Sequence, residues 1–141
     1  MTQRIDLHMH TNYSDGFYSP LELIKNAAER RLDIISITDH DSVNGIEEAI
    51  TIGKDFGVAV IPGVEISTDI EDKEVHLLGY FIDINFPELE KYLSFFREER
   101  YYRATRIINK LNKIGIEITI DDVMKVAQNS AVGRPHIAIA M

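Results

Sequence analysis

His8 and His10 lie two residues apart at the end of the first apolar run, in DLHMHTNYSDG. If Ile5 to Met9 is a strand, successive side chains alternate faces, so both imidazoles project to one side while Met9 points away. Two imidazoles at one strand edge can share a divalent ion; the plainer reading is a pair of surface histidines. Asp15 follows in a polar loop able to bend its carboxylate back over the strand end. One strand–helix unit later, TDHD sets His40 behind the run DIISIT, in the position equivalent to His10, between Asp39 and Asp41. Glu65, in PGVEIS, stands between Val64 and Ile66, where a carboxylate is costly to bury unless a cation or a strong donor meets it. His76, between Val75 and Leu77, reads on its own as a core histidine with a partner, and Glu71, Asp72 and Glu74 read as a solvated turn.

Together His8, His10, Asp15, His40, Glu65 and His76 spread imidazole and carboxylate donors over four consecutive strands or the loops that follow them. A mixed set of this kind suits Zn²⁺, Mn²⁺ or Fe²⁺ rather than Ca²⁺ or Mg²⁺ alone. Six donors exceed one tetrahedral site, so two or more ions are expected, with a carboxylate such as Glu65 as the bridge.

The elements that must position these donors follow from hydrophobic pattern and punctuation. Ser19 caps a helix that opens at Pro20, with Glu22 in its first turn and Leu21, Ile24, Ala27 and Ala28 on its apolar face. Asp33 to Thr38 is a β-branched run suited to a strand covered on both faces. Ile46 to Phe56 is a second helix, and Val58 to Ile61 begins a third strand, punctuated by Pro62-Gly63 and resuming over Val64 to Ser67. Thr68 to Lys73 is an acidic turn, and Glu74 to Ile82 a fourth strand. This alternation predicts a parallel α/β protein, whose function gathers at the carboxyl ends of its strands.

From Pro87 the pattern is helical. Residues 87–114 carry Leu93, Phe96, Ala104, Ile107, Leu111 and Ile114 on one stripe, with Gly115 as the stop. Thr119 begins a further helix, and Gly133-Arg-Pro-His leads into another. A boundary is therefore expected near residue 86, dividing 1–86 from 87–141. The long helix also carries Arg97, Arg100, Arg103, Arg106, Lys110 and Lys113, a ribbon that reads as a solvated face balanced by Glu98 and Glu99. Tyr101 and Tyr102, interleaved with it, could stack on a nucleobase. The sheet so predicted is incomplete, and the last residues fall inside a helical pattern, so the chain is expected to be the N-terminal part of a longer protein.

Composition narrows the chemistry. The 141 residues contain no cysteine, which excludes disulfides, thiolate zinc sites and cysteine nucleophiles. A formal net charge of −8 argues against broad electrostatic binding of nucleic acid. No apolar run approaches a membrane span and no signal segment opens the chain, so a cytoplasmic protein without membrane contact is expected, and no stable protein partner is evident.

The ordered motifs DLHMHTNYSDG, ITDHDSVNG, PGVEIS, HLLGYF and GRPHIA resemble the PHP (polymerase and histidinol phosphatase) family, above all its small stand-alone nucleotide phosphoesterases. The resemblance implies a partial, distorted, TIM-like β/α barrel, with residues 87–141 as a helical insertion that lids the site. It implies a cluster of two or three divalent metals, often manganese. His8, His10 and Glu65 would serve one ion, Asp15 and His40 a second, and Glu65 with His76 a third. The family's late histidine and D-x-H pair have no counterpart in this sequence, which leaves the full cluster and the turnover of this chain open. Arg134 and His136 would approach the substrate phosphate, and a guanidinium offers the planar donor fork that phosphate oxygens accept.

The expected function is a metal-dependent phosphoesterase acting on nucleotides or short 5′-phosphorylated oligonucleotides by attack of water, with Glu65, Arg134 and His136 at the reacting centre. Asp39 or Asp41 would orient a ligand histidine from behind. Two alternatives stand beside it: a phosphatase for a small amino-alcohol phosphate such as histidinol phosphate, and a non-catalytic, metal-stabilised module.

Overall fold

A computed structural model describes residues 2–71, 73–128 and 130–141. Asp72, read above as part of the acidic turn, lies outside the described residues. The chain is α/β: β1 (Ile5–Met9), α1 (Pro20–Glu29), β2 (Ile34–Ile37), α2 (Ile46–Phe56), β3 (Ala59–Ile70), β4 (Lys73–Tyr80), α3 (Pro87–Lys113), α4 (Ile120–Ala127) and α5 (Arg134–Ala140). The strands form one sheet in the order β1-β2-β3-β4.

α1 begins as its sequence dictates. The Ser19 hydroxyl accepts from the Glu22 N–H while the Glu22 carboxylate accepts from Ser19, a reciprocal cap, and Pro20 occupies the first turn. Leu23, Ile24 and Ala27 then face β2, where Ile35 and Ile37 are fully buried, and Ile46 and Ala49 of α2 complete this core with Val58 and Val64. A second apolar cluster joins Ala104 and Ile108 of α3 to Val123 and Ala127 of α4 and to Val132 and Ile137. The two clusters divide within α3, because Leu93 packs into the first. The edge strand β1 leaves Ile5 and Leu7 exposed.

Two strand expectations are corrected. β3 continues through Pro62-Gly63 as expected but runs on to Ile70, taking in the stretch from Thr68 read as the start of a turn. The reason is a change of partner: β3 pairs with β2 as far as Pro62 and with β4 from Gly63 onward, so the missing proline N–H falls at the changeover. Glycine is required at the next position, since a Cβ there would come within 2.4 Å of the Ser36 hydroxyl oxygen. The second correction is direction. β1, β2 and β3 are parallel, but β4 runs antiparallel to β3. Only residues 71 and 72 separate these two strands, too short a link for a parallel crossover.

α3 spans the expected length, yet its buried residues are Leu93, Arg100, Ala104 and Ile108, and Ile114 is exposed at its end. Arg100 therefore departs from the solvated ribbon. Gly115 closes the helix at a φ of +90°, a conformation that favours glycine.

Candidate metal centre

The six expected donors converge on one face, at the ends of β1 and β2 and midway along the β3–β4 hairpin. His8 and His10 flank Met9 at the end of β1, with ring centroids 5.1 Å apart. His40 follows β2, joined to Glu65 by an isolated parallel bridge, and its ring lies 4.8 Å from that of His10 and 4.9 Å from that of His76. The register sets His76 opposite Ser67, so the antiparallel turn brings this histidine back over Glu65.

Glu65 is the centre of the group. One carboxylate oxygen lies 2.8 Å from His8 Nε2 and 3.1 Å from His10 Nε2, and the other 2.6 Å from His76 Nδ1. Asp15 lies 3.4 Å from His10 Nδ1 and 3.6 Å from His40 Nε2. Among the described residues, three triads can each present ligand atoms lying within 4.8 Å of one another: His8–His10–Glu65, His10–Asp15–His40 and His40–Glu65–His76. Burial pushes the Glu65 carboxyl up, but the hydrogen bonds of His8 and His76 hold it below its ordinary value. His40 is pulled down to about 4, chiefly by burial and then by the Arg100 charge. It therefore stands neutral, the form that ligates a metal.

The donors fit divalent cations by an observation internal to the fold. Nδ1 of His40 is buried and has no hydrogen-bond partner among the described residues. Such an atom destabilises the folded state unless a ligand meets it.

The supporting residues differ from expectation. Among the described residues neither Asp39 nor Asp41 hydrogen-bonds a histidine ring. Asp39 accepts hydrogen bonds from the Thr11 N–H at 2.7 Å, the Thr11 hydroxyl and the Ser14 hydroxyl at 2.6 Å. It thereby pins the loop that carries Asp15. That loop is tight enough to need Gly16, whose Cβ would meet the His10 carbonyl oxygen at 2.3 Å. Burial raises the Asp39 pKa in spite of these donors. Asp41, fully buried, accepts from the Ser67 N–H and hydroxyl and, at 2.6 Å, from Arg100 Nε. It thus ties α3 to the loop behind His40.

Glu74 is not a solvated turn residue. It accepts from Arg103 at 2.6 Å and from Arg134 at 2.6 Å, and lies 3.1 Å from His76 Nε2. Burial pushes its carboxyl up, but His76 and the two arginines hold it down at about 2. The signal was available: residues 74 and 76 of one strand share a face. Arg134, mostly exposed, reaches Glu74, while buried His136 accepts the Gly133 N–H through Nδ1. His136 and Asp15 line a common cavity of about 380 Å³. Tyr101 and Tyr102 are exposed; the aromatic residues that share a cavity with Arg100, Arg103 and Arg106 are instead Phe95 and Phe96.

Known proteins share this arrangement of chain. The family described as PHP domain matches residues 6–131. The chain is 40% identical over 135 residues to the 5'-3' exoribonuclease Rnm of Escherichia coli, covering 94% of this chain and 46% of that protein. It is 36% identical over 135 residues to the 3',5'-nucleoside bisphosphate phosphatase of Chromobacterium violaceum, covering 95% and 47%. A solved structure from Bifidobacterium adolescentis, provisionally named a metal-dependent phosphoesterase, superposes with a TM-score of 0.88 at 33% identity, covering 99% of this chain and 50% of that one. The chain thus spans about half the length of the curated relatives it matches. The α/β sheet and helices described above are the corresponding part of a β/α barrel of this type.

Proposed function

Because the chain belongs to the PHP domain family, we propose that it carries the metal-binding part of a phosphoesterase that uses water to hydrolyse phosphate esters of nucleotides or 5′-phosphorylated oligonucleotides. The observation that carries this reading is the set of three donor triads sharing His10, His40 and Glu65 around the unpartnered Nδ1 of His40. His8, His10 and Glu65 would hold one divalent ion, Asp15 and His40 a second, and Glu65 with His76 a third, manganese being the ion the family resemblance favours. When bound, such ions supply Lewis acidity, neutralising phosphoryl oxygens and lowering the pKa of water.

The protein's own residues do the remainder. Glu65, held anionic by its histidine neighbours, bridges the triads. Arg134 contributes the part of its guanidinium not engaged by Glu74 to the phosphoryl oxygens, and His136 approaches from the cavity beside Asp15. Residues 1–86 supply the strands of the centre, and residues 87–141 cover it. The nucleotide class rests on the names of the relatives, an exoribonuclease and a nucleoside bisphosphate phosphatase.

Elemental analysis after dialysis against Mn²⁺, beside release of phosphate or mononucleotide from a 3',5'-nucleoside bisphosphate and a 5′-phosphorylated oligoribonucleotide, tests this reading. The expected result is retained metal and turnover. Glu65→Ala should lose both, with a rate drop beyond the roughly 100-fold upper end typical of residues that only support a ligand. Metal retention with no hydrolysis of either substrate would leave the non-catalytic, metal-stabilised module as the better reading.

A further inference from the structure

We infer that Glu74 is a positioning residue of the metal centre: it fixes which nitrogen of His76 faces Glu65, and Arg103 and Arg134 hold it there. The inference rests on the metal-centre reading of the cluster. His76 is set between two carboxylates, with Nδ1 2.6 Å from Glu65 Oε1 and Nε2 3.1 Å from Glu74 Oε1. A neutral imidazole has one N–H, so it can donate to only one of them, and its other nitrogen then turns a lone pair toward the second carboxylate. That arrangement is stable when a cation stands on the lone-pair side.

Geometry chooses the side. The Glu65 carboxylate is shared with His8, His10 and His40 in two of the donor triads, whereas Glu74 lies in none of them. Nδ1 is therefore the ligating atom and Nε2–H the donor to Glu74, the carboxylate–histidine–metal relay that orients a ligand ring and raises its basicity.

Glu74 is itself immobilised. Arg103, from α3, takes the same oxygen that meets His76, and Arg134, from the first turn of α5, takes the other. Two helices that share no strand with His76 thus set the orientation of its ring. The seating of the helical segment on the sheet and the donor strength of the third triad are one coupled quantity.

The test uses the protein labelled with ¹⁵N-histidine and titrated with Zn²⁺, which is diamagnetic, reading the imidazole tautomers by long-range ¹H–¹⁵N correlation and the binding isotherm by calorimetry. In the parent, His76 should show a protonated Nε2 and a metal-shifted Nδ1. In the Zn²⁺-free protein Glu74→Ala should change the His76 tautomer distribution, and on titration it should weaken at least one Zn²⁺ equivalent by roughly 10- to 100-fold. Glu74→Gln, which keeps an oxygen acceptor and the side-chain shape, should fall between the two and guards against a misfolded alanine variant. A protonated Nδ1 in the Zn²⁺-loaded parent, or both variants binding Zn²⁺ as the parent does, would overturn the role of Glu74 alone. No Zn²⁺ binding by the parent would overturn it together with the metal-centre reading.

Discussion

Burial decides what each charged residue around the cluster does. Arg100 and Arg106 sit on one helix with one chemistry, yet Arg100 is 5% exposed and pairs with fully buried Asp41, while Arg106 faces solvent. Removing one member of a desolvated pair leaves the other charge uncompensated, which costs far more than the net worth of the pair. Arg100→Met should therefore lower unfolding free energy by about 3–5 kcal/mol in urea denaturation. Adding Asp41→Asn to it should recover part of that loss, since no full charge then remains buried. Arg100→Lys should recover less, because an ammonium cannot reproduce the paired contacts of Nε with Asp41 and Nη2 with Ser67. Equal stability of Arg100→Met and the parent would contradict this account. The pairing was not legible in the sequence: its members stand 59 residues apart, and periodicity on α3 marked the arginines only as one row. The histidines were legible because each follows or lies within an apolar run whose alternation sets its face.

At the scale of elements, local chemistry was legible wherever it is local. The cap of α1 appears where Ser19 predicts it, and α4 begins where Thr119 is read to start a helix, each hydroxyl accepting from the N–H three residues on. Thr119→Ala should cost about 1 kcal/mol of stability by thermal or urea unfolding, the usual worth of an N-cap. Asp122 completes that cap, and its carboxyl is held below its ordinary value of 3.8, first by the Thr119 hydroxyl and then by Lys125. A carboxyl lowered on folding adds stability above its unfolded value and loses it as pH falls through the folded one. Acid titration of stability should therefore decline more steeply below 3.8 in the parent than in Asp122→Asn, and parallel curves would count against the cap. The path of β3 was less legible. Pro62-Gly63 carries a breaking signal, and only the change of partner from β2 to β4 shows why the strand passes through it. The antiparallel return of β4 is a consequence of link length, a quantity hidden as long as the end of β3 was read as a turn.

For the whole molecule, the candidate centre gathers two carboxylates and four imidazoles on one face. Glu65 and Asp15 are packed among His8, His10, His40 and His76 in a chain whose formal net charge is already −8. A divalent ion held by that arrangement would bind the folded state, whereas in the unfolded chain the same donors are scattered from residue 8 to residue 76. Binding confined to the folded state stabilises it by RT ln(1 + [L]/Kd), about 2.7 kcal/mol for one site at 100 times Kd. Mn²⁺ or Zn²⁺ should therefore raise the unfolding midpoint in a concentration-dependent way, and chelation by EDTA should return it to the metal-free value. Because Glu65 serves two of the three triads, Glu65→Ala should remove most of the metal-dependent rise. The variant's metal-free stability should fall as well, since Glu65 is held below its ordinary value by His8 and His76 and those rings lose their partner. Measuring the midpoint with and without EDTA for both proteins separates the two effects. An equal metal-induced rise in parent and variant would mean that the ions bind elsewhere, and that Glu65 is held by its histidines alone.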